Sequence, residues 1–261
     1  MKAAAAQISC TLADSHANLR KIRDFSERAK KSGAELIVFP EMSDTGYSMP
    51  VIEKHARKWN EGALKDLQAI ARANSIALVA GLSDRDGASI FNAQVLINAS
   101  GEVLAKYRKT HLVTAPPLDE RVCLSPGDEF VACKIDNFNV GLSICYDLRF
   151  PEMARTLVVK HGANVIVNSS AWPIVRAEHL RILAVARAVE NQSYFIVANR
   201  VGTDDGVTFC GNSAIIDPSG KVLASASPDQ EELIQAEISR EFMQDVRNKI
   251  AVFEHRRSDL Y

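Results

Sequence analysis

Apolar positions along this chain fall into short runs that alternate with helix-spaced series. Residues 3–10 predict a buried strand. Over 15–32, Leu19, Ile22, Phe25 and Ala29 recur at helical spacing, with Asp14 or Ser15 as N-cap and Gly33 as the stop. Residues 36–39 are an apolar strand ended by Pro40. Leu64, Leu67, Ile70 and Ala71 predict a second helix, and residues 76–82 a strand. Phe91, Ala93, Val95 and Ile97 alternate as in a half-buried strand, and residues 103–107 pair back after a Ser100-Gly101 turn.

An irregular stretch spans 108–129 and holds Pro116, Pro117, Pro126 and Gly127. Structureless loops beyond ~12–15 residues are uncommon in compact domains and often functional. Residues 131–135 and 140–144 then predict two strands. Pro151 takes the favoured first position of a helix that runs to His161, with Gly162 as the stop. A strand at 164–168, a helix at 175–191 and a strand at 194–199 follow. Three strands surround the Asp217-Pro218-Ser219-Gly220 turn, and 240–249 is a last helix. With no linker-like break or internal repeat, the pattern predicts one α/β domain over residues 1–261, with substantial antiparallel content.

Charge is balanced, with 31 Lys+Arg against 32 Asp+Glu, which removes the electrostatic case for nucleic acid or a polybasic membrane contact. No apolar run approaches the ~18 residues that span a bilayer. The start, Ala3 to Ala6, is interrupted by Gln7 and Ser9, so no signal peptide is predicted. Cys10, Cys123, Cys133, Cys145 and Cys210 are odd in number and irregularly spaced, which suits free thiols in a reducing cytoplasm.

Three residues of catalytic type stand just beyond predicted strands, where a sheet fixes the backbone and leaves the side chain accessible. Cys145 follows 140–144 on a strand-to-helix turn, like a nucleophile elbow. The helix opened by Pro151 starts too far on for its dipole to help the thiolate strongly. Glu41 follows Phe39-Pro40, where partial desolvation raises a carboxylate toward general-base duty. Lys109 ends Lys106-Tyr107-Arg108-Lys109, on the face of Tyr107 by alternation, with Lys106 and Arg108 solvated. Each has an ordinary alternative: an inert buried thiol, a surface glutamate, a basic strand end. His111 is the best of six histidines for a Cys–His pair. The sequence has no H-E-x-x-H, paired C-x-x-C, Walker loop or G-x-G-x-x-G, so neither metal nor cofactor is expected.

Taken together, several segments resemble the carbon–nitrogen hydrolase (nitrilase) superfamily. They are Phe39-Pro40-Glu41-Met42, Lys106-Tyr107-Arg108-Lys109-Thr110-His111-Leu112 and Cys145-Tyr146-Asp147-Leu148-Arg149-Phe150-Pro151-Glu152. Asn168-Ser169-Ser170-Ala171-Trp172-Pro173, Ala186-Arg187-Ala188-Val189-Glu190-Asn191, Gly211-Asn212-Ser213 and the tail Arg256-Arg257-Ser258-Asp259-Leu260-Tyr261 extend the likeness. The resemblance implies a four-layer α-β-β-α sandwich with mixed sheets. It implies a Glu41-Lys109-Cys145 triad, with Glu120 as the family's second glutamate positioning Lys109 or the substrate. Cys145 would form a thioester, Glu41 would carry protons, and Lys109 with the Tyr146 N–H would hold the oxyanion.

Tyr146-Asp147 after the cysteine is similar to the amidase branch of ω-amidases and deaminated-glutathione amidases, not to nitrile hydrolysers with Trp-Glu. Met42-Ser43-Asp44-Thr45-Gly46-Tyr47 departs from the usual ω-amidase pattern. The resemblance thus implies hydrolysis of a small aliphatic carboxamide to acid and ammonia. Nitrile or N-carbamoyl hydrolysis by the same triad is the nearest alternative, followed by a Cys-His hydrolase and a non-catalytic interaction protein. Tyr47, Tyr146 and Trp172 are expected as pocket walls, and Arg176 as a contact for a substrate carboxylate. A cytoplasmic homo-oligomer, a dimer or larger, is expected, with the tail from residue 250 onward at its interface. Glu41→Gln should cost more turnover than His111→Ala; the reverse order would make His111 the base.

Overall fold

Four consecutive alanines, Ala3 to Ala6, lie in strand β1 (Lys2–Gln7) with no exposed surface on either face. A strand covered on both faces reads as a continuous apolar run, without alternation. In the computed structural model, which describes residues 1–116 and 118–260, the covers are a helix layer on one side and a second sheet on the other. Pro117, in the irregular stretch, and Tyr261, at the end of the tail, lie outside the described residues.

Helix α1 (Ser15–Lys31) follows β1; Asp14 caps it by accepting a bond from the Ala17 N–H at 2.9 Å. Strand β2 (Leu36–Val38), helices α2 (Met49–His55) and α3 (Leu64–Asn74), and strands β3 (Ala77–Asp86), β4 (Ser89–Ile97) and β5 (Val103–Arg108) come next. β1, β2 and β3 run parallel, and β4 and β5 extend the sheet antiparallel. The second half supplies β6 (Ala132–Ile135), β7 (Phe138–Ile144), α4 (Pro151–Val159), β8 (Val165–Ser170), α5 (Ala177–Asn191) and β9 (Tyr194–Asn199). A small hairpin of β10 (Thr203–Asp204) and β11 (Val207–Thr208) precedes β12 (Ala214–Ile216) and β13 (Val222–Ser225). β14 (Glu232–Glu237) returns to pair antiparallel with β1, and α6 (Arg240–Lys249) and α7 (Val252–His255) end the fold.

The sheets are ordered β14-β1-β2-β3-β4-β5 and β13-β12-β9-β8-β7-β6, each with three adjacent parallel strands and antiparallel strands outside them. Leu19, Ile22 and Phe25 of α1 and Leu67 and Ile70 of α3 cover the outer face of the first sheet. Met153 and Leu157 of α4 and Leu180 and Ala184 of α5 cover the second, and the two inner faces meet through Val38, Val79, Leu142 and Val167. This is the four-layer α-β-β-α sandwich expected. Among the described residues no helix is long and apolar enough to cross a membrane.

Four expectations need correction. β1 stops at Gln7, and Cys10 is buried beyond it. α2 has no sequence signal because Ile52 is its one buried residue and no apolar series forms. A 3-10 turn, Cys145–Arg149, begins at the cysteine itself, so helical backbone starts earlier than Pro151. β4 has no solvent face along most of its length: Val95 and Ile97 face α1 and α3, while Asn92 and Gln94 are fully buried. Gln94 crosses to the other sheet, donating to Ser169 Oγ at 2.8 Å.

Glu41, Lys109, Cys145 and Ala171 follow β2, β5, β7 and β8, so one end of the sandwich collects them. Two glycines allow this. A Cβ on Gly81 would stand 2.6 Å from Glu41 Cα and 2.7 Å from the Pro40 oxygen. One on Gly127, whose N–H bonds the Lys109 carbonyl at 2.8 Å, would stand 2.3 Å from the Arg108 oxygen. Backbone cannot yield as a side-chain tip does, so Gly81→Ala is expected to cost roughly 1–3 kcal/mol. Thermal denaturation checks this; an unchanged midpoint would mean the Glu41 turn is not braced on β3.

Candidate active site

The side chains of Glu41, Lys109 and Glu120 have no exposed surface. Lys109 Nζ lies 2.8 Å from Glu41 Oε1 and 2.8 Å from Glu120 Oε1, one ammonium shared by two carboxylates. Asn92 Nδ2 donates to both acids, at 2.5 Å to Glu41 and 3.2 Å to Glu120. The Ala171 N–H donates to Glu41 Oε2 at 2.8 Å. Tyr47 OH donates to Glu120 Oε1 at 2.9 Å, and the Val113 N–H to Oε2 at 2.7 Å. Buried charges persist only when paired and hydrogen-bonded, and these are.

Burial pushes the Glu41 carboxyl up; Lys109 pulls it down and Glu120 pushes it up again, leaving it above the ordinary glutamate range. Burial lowers Lys109, but Glu120 and Glu41 together outweigh that and hold it protonated. Glu41 is thereby a base of raised affinity for protons, next to a fixed cation.

Cys145 opens its 3-10 turn with φ at 43°, the left-handed region, which costs a non-glycine residue about 1–3 kcal/mol. Such strain presents a side chain outward from a strand-to-helix turn. Burial and the Glu41 carboxylate raise the Cys145 thiol well above its usual value, while Lys109 and the Ala171 N–H oppose them. The resting group is a neutral thiol facing a base. His111, the competing base, has Nδ1 2.8 Å from Asp147 Oδ1 and its ring stacked 3.8 Å from Phe150. Nδ1 of His111 is thus engaged by Asp147, whereas the charges of Glu41 and Lys109 act on the thiol.

A cavity of about 230 Å³ opens above Cys145, lined by Val113, Leu118, Tyr146, Trp172, Arg149 and Arg176, among others. Tyr146 and Trp172 are walls of this cavity. Tyr47 is not: its backbone N–H is held by Asp204 at 2.8 Å and its ring packs edge-on to Phe209, so it braces Glu120 from beneath. Arg176 lines the cavity, but its Nη2 donates to the Pro116 carbonyl at 2.6 Å, which commits part of the guanidinium to the loop. Arg149 lies over the Trp172 ring at 4.8 Å, and burial, with Arg176 nearby, lowers its pKa. Among the described residues no group of three or more His, Cys, Asp or Glu is arranged to hold a metal.

The sequence profile of the carbon-nitrogen hydrolase family matches residues 2–248. The chain belongs to that family. The 2-oxoglutaramate amidase of Bacillus subtilis (strain 168) is 35% identical over 94% of this chain and 93% of its own. The nitrilase of Pyrococcus abyssi (strain GE5 / Orsay) is 35% identical over 100% of this chain and 99% of its own. A solved mutant of the amidase from Nesterenkonia sp. AN1 superposes with a TM-score of 0.86, at 29% identity over 96% of this chain and 98% of that one. That structure shows the result of Michael addition of acrylamide at the active-site cysteine of the Nesterenkonia protein.

In this carbon–nitrogen hydrolase, Glu41, Lys109, Cys145 and Glu120 lie at one end of the sandwich. Sequence reasoning did not single out Asn92, Asp147 or Arg149 as site residues. Arg149 stood inside the quoted cysteine segment; Asn92 gave no signal, being an amide in a strand read as half solvated. Because Glu120 is one of the groups that raise Glu41, Glu120→Gln should lower the Glu41 pKa. The base form of Glu41 then survives to lower pH, so the acid limb of kcat/KM moves down in pH. An acid limb unmoved or displaced upward would show that Glu41 does not set it.

Proposed function

We propose that this hydrolase converts a small aliphatic carboxamide to its carboxylic acid and ammonia through a thioester on Cys145. The observation that carries the reading is the shared Lys109 ammonium between Glu41 and Glu120, acting on a thiol at the floor of a small cavity. Cys145 Sγ attacks the amide carbon as Glu41 takes the thiol proton. Two of the three Lys109 N–H donors are used by the carboxylates. The third, with the Tyr146 N–H, receives the oxyanion. Glu41 then returns its proton to the leaving nitrogen, and ammonia departs with cleavage of the C–N bond. Water enters, Glu41 removes its proton, and collapse of the second tetrahedral adduct breaks the C–S bond and restores the thiol.

The cavity supports a small substrate, since 230 Å³ is below the ~300–1,000 Å³ of drug-sized sites. Apolar Val113, Leu118 and Trp172 favour a short carbon chain, and Arg149 and Arg176 at the same wall favour an acidic group on it. The relative named a nitrilase supports nitrile hydrolysis as the second reading, since thiolate addition to a nitrile uses the same groups.

A panel of small amides, ω-carboxylated amides and nitriles, assayed for ammonia, decides between them. Amides are expected to turn over, with the acyl-enzyme mass on the Cys145 peptide. Cys145→Ala should lower kcat on the order of 10⁴-fold or more while keeping the wild-type melting curve. Turnover retained in that variant, or turnover of nitriles alone, would defeat the amide reading.

A further inference from the structure

Asp147 stands two residues beyond Cys145, and its carboxylate side chain has no exposed surface. Its Oδ2 accepts from the Ile144 N–H at 2.9 Å and from Tyr107 OH at 2.7 Å. Its Oδ1 accepts from the His111 N–H at 3.2 Å and Thr110 Oγ1 at 3.3 Å, and lies 2.8 Å from His111 Nδ1. The same Nδ1 lies 3.0 Å from Thr110 Oγ1, so ring, hydroxyl and carboxylate form one hydrogen-bonded group. The His111 ring is held on its other side by the Phe150 ring, nearly parallel at 12°.

These donors come from two places. Tyr107, Thr110 and His111 bracket Lys109 at the exit of β5, in the first sheet. Ile144 is the last residue of β7, in the second sheet, and immediately precedes Cys145. The backbone bonds of Lys109 itself, from its N–H to the Asn92 carbonyl and to its carbonyl from the Gly127 N–H, do not reach the cysteine's sheet. Asp147 does. It also holds the residue before a backbone whose left-handed φ needs support from its neighbours. A carboxylate suits this task because its two oxygens offer about four acceptor sites, enough for both segments at once.

We propose that Asp147, acting with His111, is a positioning residue that fixes the spacing between Lys109 and Cys145. His111 thereby has a defined part without serving as the base. The expected effect on rate rests on the amide-hydrolysis reading above; the effect on the thiol does not. Lys109 is the cation that favours the Cys145 thiolate, so loosening its placement raises the pH at which the thiol reacts.

The test uses Asp147→Asn and His111→Phe in the full chain. Asp147→Asn keeps the volume and one acceptor oxygen but turns the other position into a donor facing donors. His111→Phe keeps the ring against Phe150 and removes Nδ1. Two readouts are taken: kcat and KM on an amide the wild type hydrolyses, and the pH profile of Cys145 alkylation by iodoacetamide, followed on its own peptide.

For Asp147→Asn, kcat should fall on the order of 100-fold, as for a misplacement near 1 Å, with KM within about twofold. His111→Phe should lose about tenfold in the same direction, as one partner of several is removed. In both, the alkylation profile moves to higher pH. Wild-type kcat and an unmoved alkylation profile would overturn the proposal. So would a fall in kcat that accompanies only a lower Tm while the profile stays. If Asp147→Asn does not fold, His111→Phe decides alone. If the wild type hydrolyses no amide, the amide reading fails, and the alkylation profiles still judge the positioning.

Discussion

One buried ammonium organises this molecule. Lys109 Nζ is shared at 2.8 Å by Glu41 and Glu120, and none of the three side chains reaches solvent. Each ion alone would cost several kcal/mol to bury. Together, with bonds from Asn92, Tyr47, Ala171 and Val113, their polar atoms are satisfied. Two negative charges against one positive leave the cluster one unit short of neutral, and Glu41 answers by holding protons more tightly than an ordinary glutamate. Removing Lys109 would leave two buried carboxylates uncompensated, so stability and acid–base chemistry depend on the same contacts.

The sandwich makes such a cluster affordable. Glu41 and Cys145 leave strands that are packed on both faces, so their backbone has little freedom to drift. Parallel central strands end on the same side, and β2 and β7 deliver Glu41 and Cys145 from facing sheets. Close approach does the rest: Gly81 lets the Glu41 turn lie against β3, and Gly127 lets the loop return over the end of β5. Glu120 then closes the loop on itself, its N–H bonding the Val113 carbonyl at 2.9 Å while its carboxylate takes the Val113 N–H.

What the sequence makes legible follows from these constraints. Glu41 and Cys145 stand out because each follows an apolar run where a strand must stop, whereas Lys109 ends a basic segment and is singled out by strand alternation and by the family resemblance. Helix α1 is readable because it has a solvent face, and its apolar stripe contrasts with that face. Asn92 is unreadable for the opposite reason. Alternation in β4 suggests a wet side, but in a sandwich that side is the inner face, and its polar residues are buried machinery. Tyr47 misleads in a related way: an aromatic near a strand end suits a pocket wall, yet its hydroxyl is needed by Glu120. Pairings across the sheets, such as Asp147 with Tyr107 and His111, join residues 40 and 36 positions apart and leave no local pattern.

Positive charge lines the cavity at Arg149 and Arg176, while the Cys145 thiol that also lines it feels a cluster with an excess of negative charge. Two carboxylates and one ammonium act on this thiol; at the side of the cavity stand Arg149 and Arg176, whose partners are an imidazole, a ring and a carbonyl. Burial in a low-dielectric pocket strengthens both fields. On the proposed reading, a neutral amide approaches the floor without repulsion. On the same reading, the carboxylate product forms at the sulfur on which the Glu41 and Glu120 charges act. Hydrolysis converts a tolerated group into a repelled one, so the charge that retains protons for the chemistry also drives the product away from the sulfur. On the proposed reading, a neutral cluster would lack that asymmetry, and the excess negative charge beside Lys109 serves both the proton chemistry and product departure.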